Sequence, residues 1–184
     1  AALRSGCFDR VIVSTDDTEI ESIARDFGAD VPFLRPASIS DDYSSTIDVI
    51  SHSIDWLEYH GSALDFICCI YATAPFLTSS DIKSSYLKLI TDDVDFVFSA
   101  TEYLFPVQRA LKLGDLGEVS MLYPEYELTR SQDLTLAYHD AGQFYWGKKS
   151  AFLERKSIFG ENSRIELLPA TRVKDIDTPE DWEF

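Results

Sequence analysis

The chain has 184 residues, of which 45% are hydrophobic and 26% are charged, as is typical of a single folded globular domain. Its 32 acidic residues outnumber its 16 basic residues, which gives a formal net charge of -16 at pH 7. A field of that sign repels nucleic acid and anionic membranes, so we expect neither as a partner. A phosphate-bearing ligand would need a metal ion or a local basic cluster.

The cysteines and the apolar runs indicate the compartment. Cys7, Cys68 and Cys69 are odd in number, and none has the spacing of a zinc site. No apolar stretch reaches the roughly 18 residues that suggest a membrane span, and no signal peptide is recognisable. We therefore expect a cytoplasmic protein with reduced thiols and no membrane association.

The first third of the chain predicts alternating strands and helices. Gly6 ends a helical turn, from which we expect a preceding segment outside this chain. Residues 11–15 form a β-branched run that predicts a buried strand, and the helix after it ends at Gly28. Residues 31–34 predict a short edge strand, and the apolar spacing in residues 46–59 predicts a helix.

The remaining elements continue this alternation. Strands are predicted at residues 65–71, 95–100, 143–146 and 164–169, and helices at residues 79–90 and 150–155. The turn at residues 114–117 lies in a segment, residues 102–138, that predicts a hairpin or an insertion. The pattern indicates an α/β fold with a mostly parallel sheet and helices on both faces. Ligands of such sheets bind beyond the carboxyl ends of the strands.

Asp175-Ile176-Asp177 is the most informative short motif. A strand turns residues i and i+2 to one face, so both carboxylates would point to one place. Hard oxygen ligands of this kind suit Mg²⁺, which also bridges to phosphates. The alternative is a strand end whose second Asp caps the helix predicted to begin with Thr178-Pro179.

Two polar segments in the first third are each compatible with a ligand site or with ordinary capping. Asp16 and Asp17 follow residues 11–15, where helix capping is the favoured interpretation. Arg35, followed by Ser44 and Thr46 at a helix start, offers a guanidinium and hydroxyl donors to an anion. A capped surface loop explains these three residues equally well.

Two later segments carry the same ambiguity. Arg130 and Gln132 place a forked donor beside an amide, which suits a substrate carboxylate or a solvated loop. His139, which follows Tyr138, fits a general base, although a lone His is more often a structural hydrogen-bonding group.

Taken together, five segments in this order resemble the acylneuraminate cytidylyltransferase family, and the resemblance covers nearly the whole chain. They are VSTDDTEIESIARDFGA from Val13, RPASISDDYSSTIDVI from Arg35, IYATAPFLTSSDI from Ile70, TRSQDLTLAYHDAGQFYWG from Thr129 and DIDTPEDW from Asp175. The resemblance implies a three-layer, Rossmann-like nucleotide-diphospho-sugar transferase fold. It also implies that CTP and a nonulosonic acid react to give a CMP-sugar and pyrophosphate, in a homodimer formed through residues 102–138.

The resemblance also implies residue roles. Asp175 and Asp177 are the expected catalytic ligands of Mg²⁺. The expected nucleotide contacts are Asp16, Arg35, Ser44 and Thr46, and the expected sugar contacts are Tyr71, Thr73, Arg130, Gln132 and Tyr138.

The chain departs from the family pattern at three places. Residues 71–75 read YATAP where sialic acid members generally have QPTSP, and residues 140–142 read DAG where they have NGA. Both departures resemble the pseudaminic acid branch of the family. The family's first strand and basic nucleotide loop have no counterpart here, so we expect residues 1–184 to be a single domain lacking that piece and of low activity by itself.

Two other functions remain open from the sequence. A glycosyltransferase also uses an Asp-x-Asp motif to hold a metal, although that motif usually falls in the middle of the domain. A non-catalytic dimeric binding domain is favoured by the absent basic loop.

Overall fold

The computed structural model describes residues 1–41, 43–174 and 176–183. The strands are β1 (Phe66–Ile70), β2 (Phe96–Glu102), β3 (Leu111–Leu113), β4 (Val119–Met121), β5 (Tyr138–Lys148) and β6 (Ser163–Leu167). The helices are α1 (Ala2–Ser5), α2 (Thr18–Asp26), α3 (Thr46–Tyr59), α4 (Ser79–Thr91), α5 (Lys149–Leu153) and α6 (Pro179–Glu183). Within this description, no helix combines the length and the apolar content needed to cross a membrane.

The central sheet has the strand order β1-β5-β2-β6. β1 and β2 both run antiparallel to β5, and β6 runs parallel to β2, so three of the four strands share one direction. The α/β class is confirmed. The reversal of β5 was not predicted, and it is possible because β5 follows the excursion at residues 102–138, whereas a parallel neighbour needs a crossover connection that is usually a helix.

Helices cover both faces of this sheet, as predicted. Cys68 and Ile70 of β1 pack with Ile82 and Leu89 of α4 on one face. The alternate residues of β1, including Ile67, pack on the opposite face with residues of α3 and α5. The alternation of side chains along a strand therefore supplies two cores from one short apolar run.

Both long helices begin at a side-chain cap. The Ser45 Oγ accepts a hydrogen bond from the Asp48 amide at 3.2 Å, and α3 spans the predicted residues. At the start of α4, Thr78 and Asp81 form a reciprocal capping box. Gly6, at φ 66°, closes α1 in the left-handed conformation expected of a helix end.

The strands predicted at residues 11–15 and 31–34 are wrong as continuous strands. Within these two segments, all of whose residues the structure describes, there are two parallel bridges, Ile12 with Asp30 and Thr15 with Leu34. Between them, the next rung of the ladder would need the amide of Pro32 to donate to the Val13 carbonyl, and proline has no N–H. The hydrogen-bonded ladder between these two segments is therefore interrupted after its first bridge.

Apolar side chains are exposed on α2 and in residues 102–138, among other places. On α2, Ile20 and Ile23 are each half exposed and the neighbouring Phe27 is 81% exposed. In residues 102–138, β3 and β4 form the predicted hairpin as a separate two-stranded sheet. Leu116 and Leu128 of that excursion are each 95% exposed.

Candidate active site

A bulge in β5 shapes the site. Phe98 of β2 pairs with Tyr145, and Ala100 pairs with Asp140, so two steps along β2 correspond to five along β5. The buried Ser99 opposes the extra residues, and its Oγ accepts hydrogen bonds from the amides of residues 143 and 144 at 3.1 and 3.2 Å. Gly142 lies at φ 63°, a conformation that favours glycine. Bulges re-aim side chains, and this one turns Asp140 back toward Tyr145.

The side chains around the bulge form a hydrogen-bonded wall. The Asp140 Oδ2 accepts a hydrogen bond from the Tyr145 hydroxyl, and its Oδ1 accepts one from the Gly142 amide at 3.0 Å. The Tyr145 ring lies 5.4 Å from the Tyr71 ring, between centroids. The Tyr71 hydroxyl lies 2.8 Å from the Thr46 Oγ1. A predicted sugar contact, Tyr71, thereby joins a predicted nucleotide contact, Thr46.

This wall borders a cavity of about 600 Å³. Its described lining is formed by Tyr71, His139, Asp140, Ala141, Gly142, Tyr145, Val173, Lys174, Asp177 and Asp181. Tyr71 follows β1, and Val173, Lys174, Asp177 and Asp181 follow β6. The described lining therefore lies beyond the carboxyl ends of these two strands. A second cavity of about 340 Å³ shares His139 and Val173 with it.

The part of the cavity near α6 carries Asp177, one of the two predicted metal ligands. Asp175 lies outside the described residues. Asp177 lines the cavity, but it and Ile176 belong to no strand, so the predicted strand geometry is wrong for these two residues. The segment is irregular because the helix cap begins at once: Thr178 and Asp181 exchange hydrogen bonds at the start of α6. The cap is therefore made by Thr178 rather than by Asp177.

Asp181 is a site residue that the sequence did not single out. Lys174 forms an ion pair with it at 2.7 Å. The hydrogen bonds from Lys174 and then Thr178 hold the pKa of the Asp181 carboxyl far below its usual range. Asp181 is thus a compensated carboxylate, whereas no described residue supplies a hydrogen bond or ion pair to the carboxylate of Asp177.

That difference fits a magnesium site. An aspartate in a cavity that receives no hydrogen bond or ion pair from the described residues offers the hard oxygen ligand that Mg²⁺ prefers. Among the described residues, no three His, Cys, Asp or Glu side chains cluster as a ready-made metal centre. Mg²⁺ commonly takes only one or two carboxylates and completes its shell with water and phosphate oxygens, so Asp177 suits it.

Two of the predicted nucleotide contacts, Arg35 and Asp16, contact each other, whereas Ser44 lies in a separate loop. Arg35 and Asp16 form an ion pair at 3.3 Å, and the Arg35 Nε donates to the Ser40 Oγ at 3.1 Å. Asp17 accepts two amide hydrogen bonds at the start of α2, which confirms capping for that residue. The Ser44 hydroxyl donates to Asp41 at 2.7 Å within its own loop.

The predicted sugar contacts also lie in different parts of the structure. Thr73 lies in the turn after β1, within the loop that begins at Tyr71. Arg130 pairs with Asp133 at 2.7 Å and is 72% exposed along its side chain. Arg130, Gln132 and Tyr138 are not part of the described lining of the 600 Å³ cavity. Their predicted role stays a prediction.

A partly buried ion pair holds the loop at Arg172, next to the residues that line the cavity. Arg172 donates to both carboxylate oxygens of Asp81, at 2.6 and 3.0 Å. The Gln143 Nε2 donates to the Arg172 carbonyl at 2.7 Å, and Gln143 is 1% exposed. Val173 and Lys174 follow directly and line the cavity. The loop is therefore tied both to α4 and to the bulge of β5.

Sequence reasoning missed Tyr145, Lys174 and Asp181. Tyr145 lies five residues from Asp140, a spacing that gives no sign of contact on a regular strand. The signal available for it was the Asp-Ala-Gly sequence at residues 140–142, which favours an irregular strand. His139 was considered as a general base, but its Nδ1 lies 2.8 Å from the Asp140 carbonyl oxygen, which indicates a structural hydrogen bond.

Comparison with known proteins agrees with this architecture. The likeness to the solved structure of CMP:2-keto-3-deoxy-manno-octonic acid synthetase complexed with CTP has a TM-score of 0.65 at 14% identity, and it covers 99% of this chain and 81% of that one. At this identity the likeness concerns the fold alone. The chain therefore shares the fold of this synthetase.

The sequence comparisons give the family. The model of the Cytidylyltransferase family matches residues 1–181, and the chain belongs to this family. The pseudaminic acid cytidylyltransferase of Campylobacter jejuni subsp. jejuni serotype O:2 is 45% identical over 183 residues, covering 100% of this chain and 79% of that protein. The N-acylneuraminate cytidylyltransferase of Escherichia coli O18:K1:H7 is 29% identical over 186 residues, covering 100% of this chain and 43% of that protein.

Proposed function

We propose that the protein joins pseudaminic acid to CMP. The anomeric hydroxyl of the sugar attacks the α-phosphate of CTP, the bond to the β-phosphate breaks, pyrophosphate leaves, and the hydroxyl proton passes to solvent or to a nearby base. The observation that carries the proposal is the 45% identity to a pseudaminic acid cytidylyltransferase along the entire chain. The cavity at the strand ends supports it, because it has the size and polarity of a small-molecule site.

Charge in the cavity supports the proposal of a bound cation. Three carboxylates, those of Asp140, Asp177 and Asp181, stand with one lysine, Lys174, in the described lining. CTP and an acid sugar are both anionic, so bringing them together here is opposed by repulsion. We propose that Asp175 and Asp177 hold Mg²⁺, which when bound would neutralise phosphate charge and lower the pKa of the attacking hydroxyl.

The chain's own residues orient the reactants. Tyr71 and Tyr145 provide an aromatic wall for the sugar, and Asp140 provides an acceptor on that wall. Arg35, Asp16, Ser44 and Thr46 are proposed to contact the nucleotide, with Thr46 placed beside the sugar wall by its hydrogen bond to Tyr71. Such positioning is the main catalytic contribution that a protein makes to phosphoryl and nucleotidyl transfer.

Further sugar contacts and the assembly state complete the proposal. Thr73, Arg130, Gln132 and Tyr138 are proposed as further sugar contacts. We propose a homodimer that packs through residues 102–138, because the exposed leucines of this segment form the kind of apolar surface that marks interfaces. We also propose that the protein acts in the cytoplasm, where CTP is available.

The test uses the full-length protein with limiting CTP, Mg²⁺ and equal amounts of pseudaminic and N-acetylneuraminic acids, with CMP-sugars measured by mass and pyrophosphate by a coupled assay. We expect CMP-pseudaminic acid as the main product. Equal or reversed preference would contradict the substrate assignment, and release of a nucleoside diphosphate from a sugar donor would instead indicate a glycosyltransferase.

The metal assignment is tested with Asp175→Asn and Asp177→Asn. Each amide keeps the size of the side chain but loses the anionic ligand, so we expect kcat/KM to fall by about a hundredfold or more. The melting temperature should be unchanged for Asp177→Asn, because Asp177 is exposed. Asp55→Asn, on the exposed side of α3, is the matched control and should retain full activity. Near-normal activity of both metal-site variants at ordinary Mg²⁺ would refute the assignment.

A further inference from the structure

Gln143 lies at the bulge of β5, but its side chain does not reach the surface of the cavity. The residue is 1% exposed, and it is not part of the described lining of either cavity. A side chain buried to this extent cannot contact a ligand directly. Any effect of Gln143 on the reaction must therefore be transmitted by a residue that it holds.

The backbone of Gln143 is fixed by two neighbouring parts of the sheet. Its amide donates to the Ser99 Oγ of β2 at 3.1 Å, and its carbonyl oxygen accepts a hydrogen bond from the Tyr71 amide, directly after β1, at 2.9 Å. Both backbone polar groups of Gln143 are thus bonded, which gives its side chain a rigid origin. From there the Nε2 reaches the segment after β6 and donates to the Arg172 carbonyl at 2.7 Å.

The bond from Gln143 fixes the direction in which the chain leaves Arg172. The Arg172 carbonyl belongs to the planar peptide group that joins residues 172 and 173. The N–H of the same group, on Val173, donates to the Ala170 carbonyl at 3.2 Å. Because its oxygen and its N–H are both bonded, this peptide group cannot rotate without breaking a hydrogen bond. The ion pair with Asp81 anchors the side chain of Arg172 as well.

The residues that follow include the proposed metal ligands and are tied together at Asp181. The Asp181 Oδ2 accepts hydrogen bonds from the amides of Asp177 and Thr178 at 3.2 and 2.9 Å. Lys174 forms its ion pair with the other oxygen of Asp181 at 2.7 Å. Residues 174, 177 and 178 are therefore held as a unit, and the peptide group between residues 172 and 173 connects this unit to the sheet.

We propose that Gln143 is a positioning residue for the metal site, because its bond to the Arg172 carbonyl holds the segment that carries Asp177 in place. This inference rests on the proposed function, and within it on the proposed metal ligands. Groups that orient the ligands of a metal contribute to its affinity without touching it. Loss of the Gln143 donor should therefore weaken metal binding and leave the sugar side of the cavity intact.

The experiment measures metal binding to the full-length protein without substrates, by electron paramagnetic resonance of Mn²⁺ in place of Mg²⁺. Gln143→Met keeps the length of the side chain and fills the core, but it removes the donor. We expect the Kd for Mn²⁺, and the Mg²⁺ concentration that gives half-maximal activity, each to rise about fivefold or more. At saturating Mg²⁺ the KM for pseudaminic acid should change less than about twofold, because the backbone bond to Tyr71 remains.

Two variants serve as controls. Trp146→Phe removes an equally buried N–H of the same strand, which donates to the Ile82 carbonyl at 3.2 Å. It should lower the melting temperature but leave the Kd for Mn²⁺ unchanged. Gln143→Glu keeps a donor at about pH 6, because burial raises the pKa of a carboxyl group and the protonated acid can donate to the Arg172 carbonyl. Its Kd for Mn²⁺ should lie closer to that of wild type than the Kd of Gln143→Met does.

The outcomes separate this inference from the proposed function. An unchanged Kd for Mn²⁺ in Gln143→Met, an equal rise in Trp146→Phe, or a Gln143→Glu variant as weak as Gln143→Met would overturn the inference while the proposed function stands. If Asp177→Asn binds Mn²⁺ as tightly as wild type, the proposed metal site fails and the inference fails with it. If the wild-type protein forms no CMP-sugar but the Kd values follow the expected order, the proposed reaction fails and the positioning role of Gln143 is supported.

Discussion

Arg172→Met is expected to destabilise the fold, because it leaves one buried carboxylate without its charged partner. Asp81 is 8% exposed, and the substitution removes both guanidinium hydrogen bonds to its carboxylate while keeping a side chain of similar length. Breaking a fully buried pair costs about 3–5 kcal/mol, and an exposed pair is worth about 0–1 kcal/mol. The side chains of Arg172 and Asp81 are 30% and 11% exposed, so we expect an intermediate loss of about 2 kcal/mol.

Thermal and urea unfolding measure this loss. For a chain of this size, about 2 kcal/mol corresponds to a fall in melting temperature of about 4–8 °C. Arg164→Met is the matched control, because it removes an exposed ion pair, Arg164 with Asp92 at 3.4 Å. It should lower the free energy of unfolding by less than about 0.5 kcal/mol. The double variant Asp81→Asn/Arg172→Met should be more stable than Arg172→Met alone, because the asparagine side chain carries no charge to bury and its carbonyl oxygen can still accept the capping hydrogen bond from the Thr78 amide.

The effect also has a defined pH dependence. Burial tends to raise the pKa of Asp81, but the hydrogen bonds from Arg172 and Thr78 outweigh burial and lower it overall. A lowered pKa stabilises the folded state above the unfolded pKa of about 4, and this contribution disappears as the pH falls through the folded pKa. The difference in the free energy of unfolding between wild type and Arg172→Met should therefore be largest near pH 7. It should become smaller below about pH 4. A variant that melts within about 1 °C of wild type at pH 7 would refute the reasoning.

Two further predictions concern assembly and thiol chemistry. Leu116→Asp and Leu128→Asp place charges on the exposed excursion and should convert the proposed homodimer to a monomer in light scattering at micromolar concentration, whereas Phe27→Asp, at an equally apolar site after α2, should not. A wild-type protein that is monomeric under these conditions would contradict the dimer. Burial raises the pKa of Cys69 to about 11 and that of Cys68 well above its usual value, so both should react with a maleimide at pH 8 at least about tenfold more slowly in the native protein than in urea. Equal rates in both conditions would show that the thiols are accessible and their pKa values ordinary.

Local sequence was sufficient to predict the features that depend on a few neighbouring residues. Ser45 and Thr78 mark the starts of α3 and α4, because a hydroxyl that bonds an amide three residues on is a local interaction. The apolar run of β1 and the turn at residues 114–117 were readable for the same reason. The resemblance of five ordered segments also predicted the family, which the comparisons confirm.

Contacts between distant segments could not be predicted in this way. The reversed direction of β5 and the pairing of Arg172 with Asp81 join residues that are far apart in the chain, and no local pattern specifies them. The contact of Asp140 with Tyr145 depends on the bulge, whose extra residues are stabilised by Ser99 of a neighbouring strand. Strand register and long-range ion pairs are set by the packing of the whole sheet, so the shape of the sugar side of the cavity became visible only once that sheet was assembled.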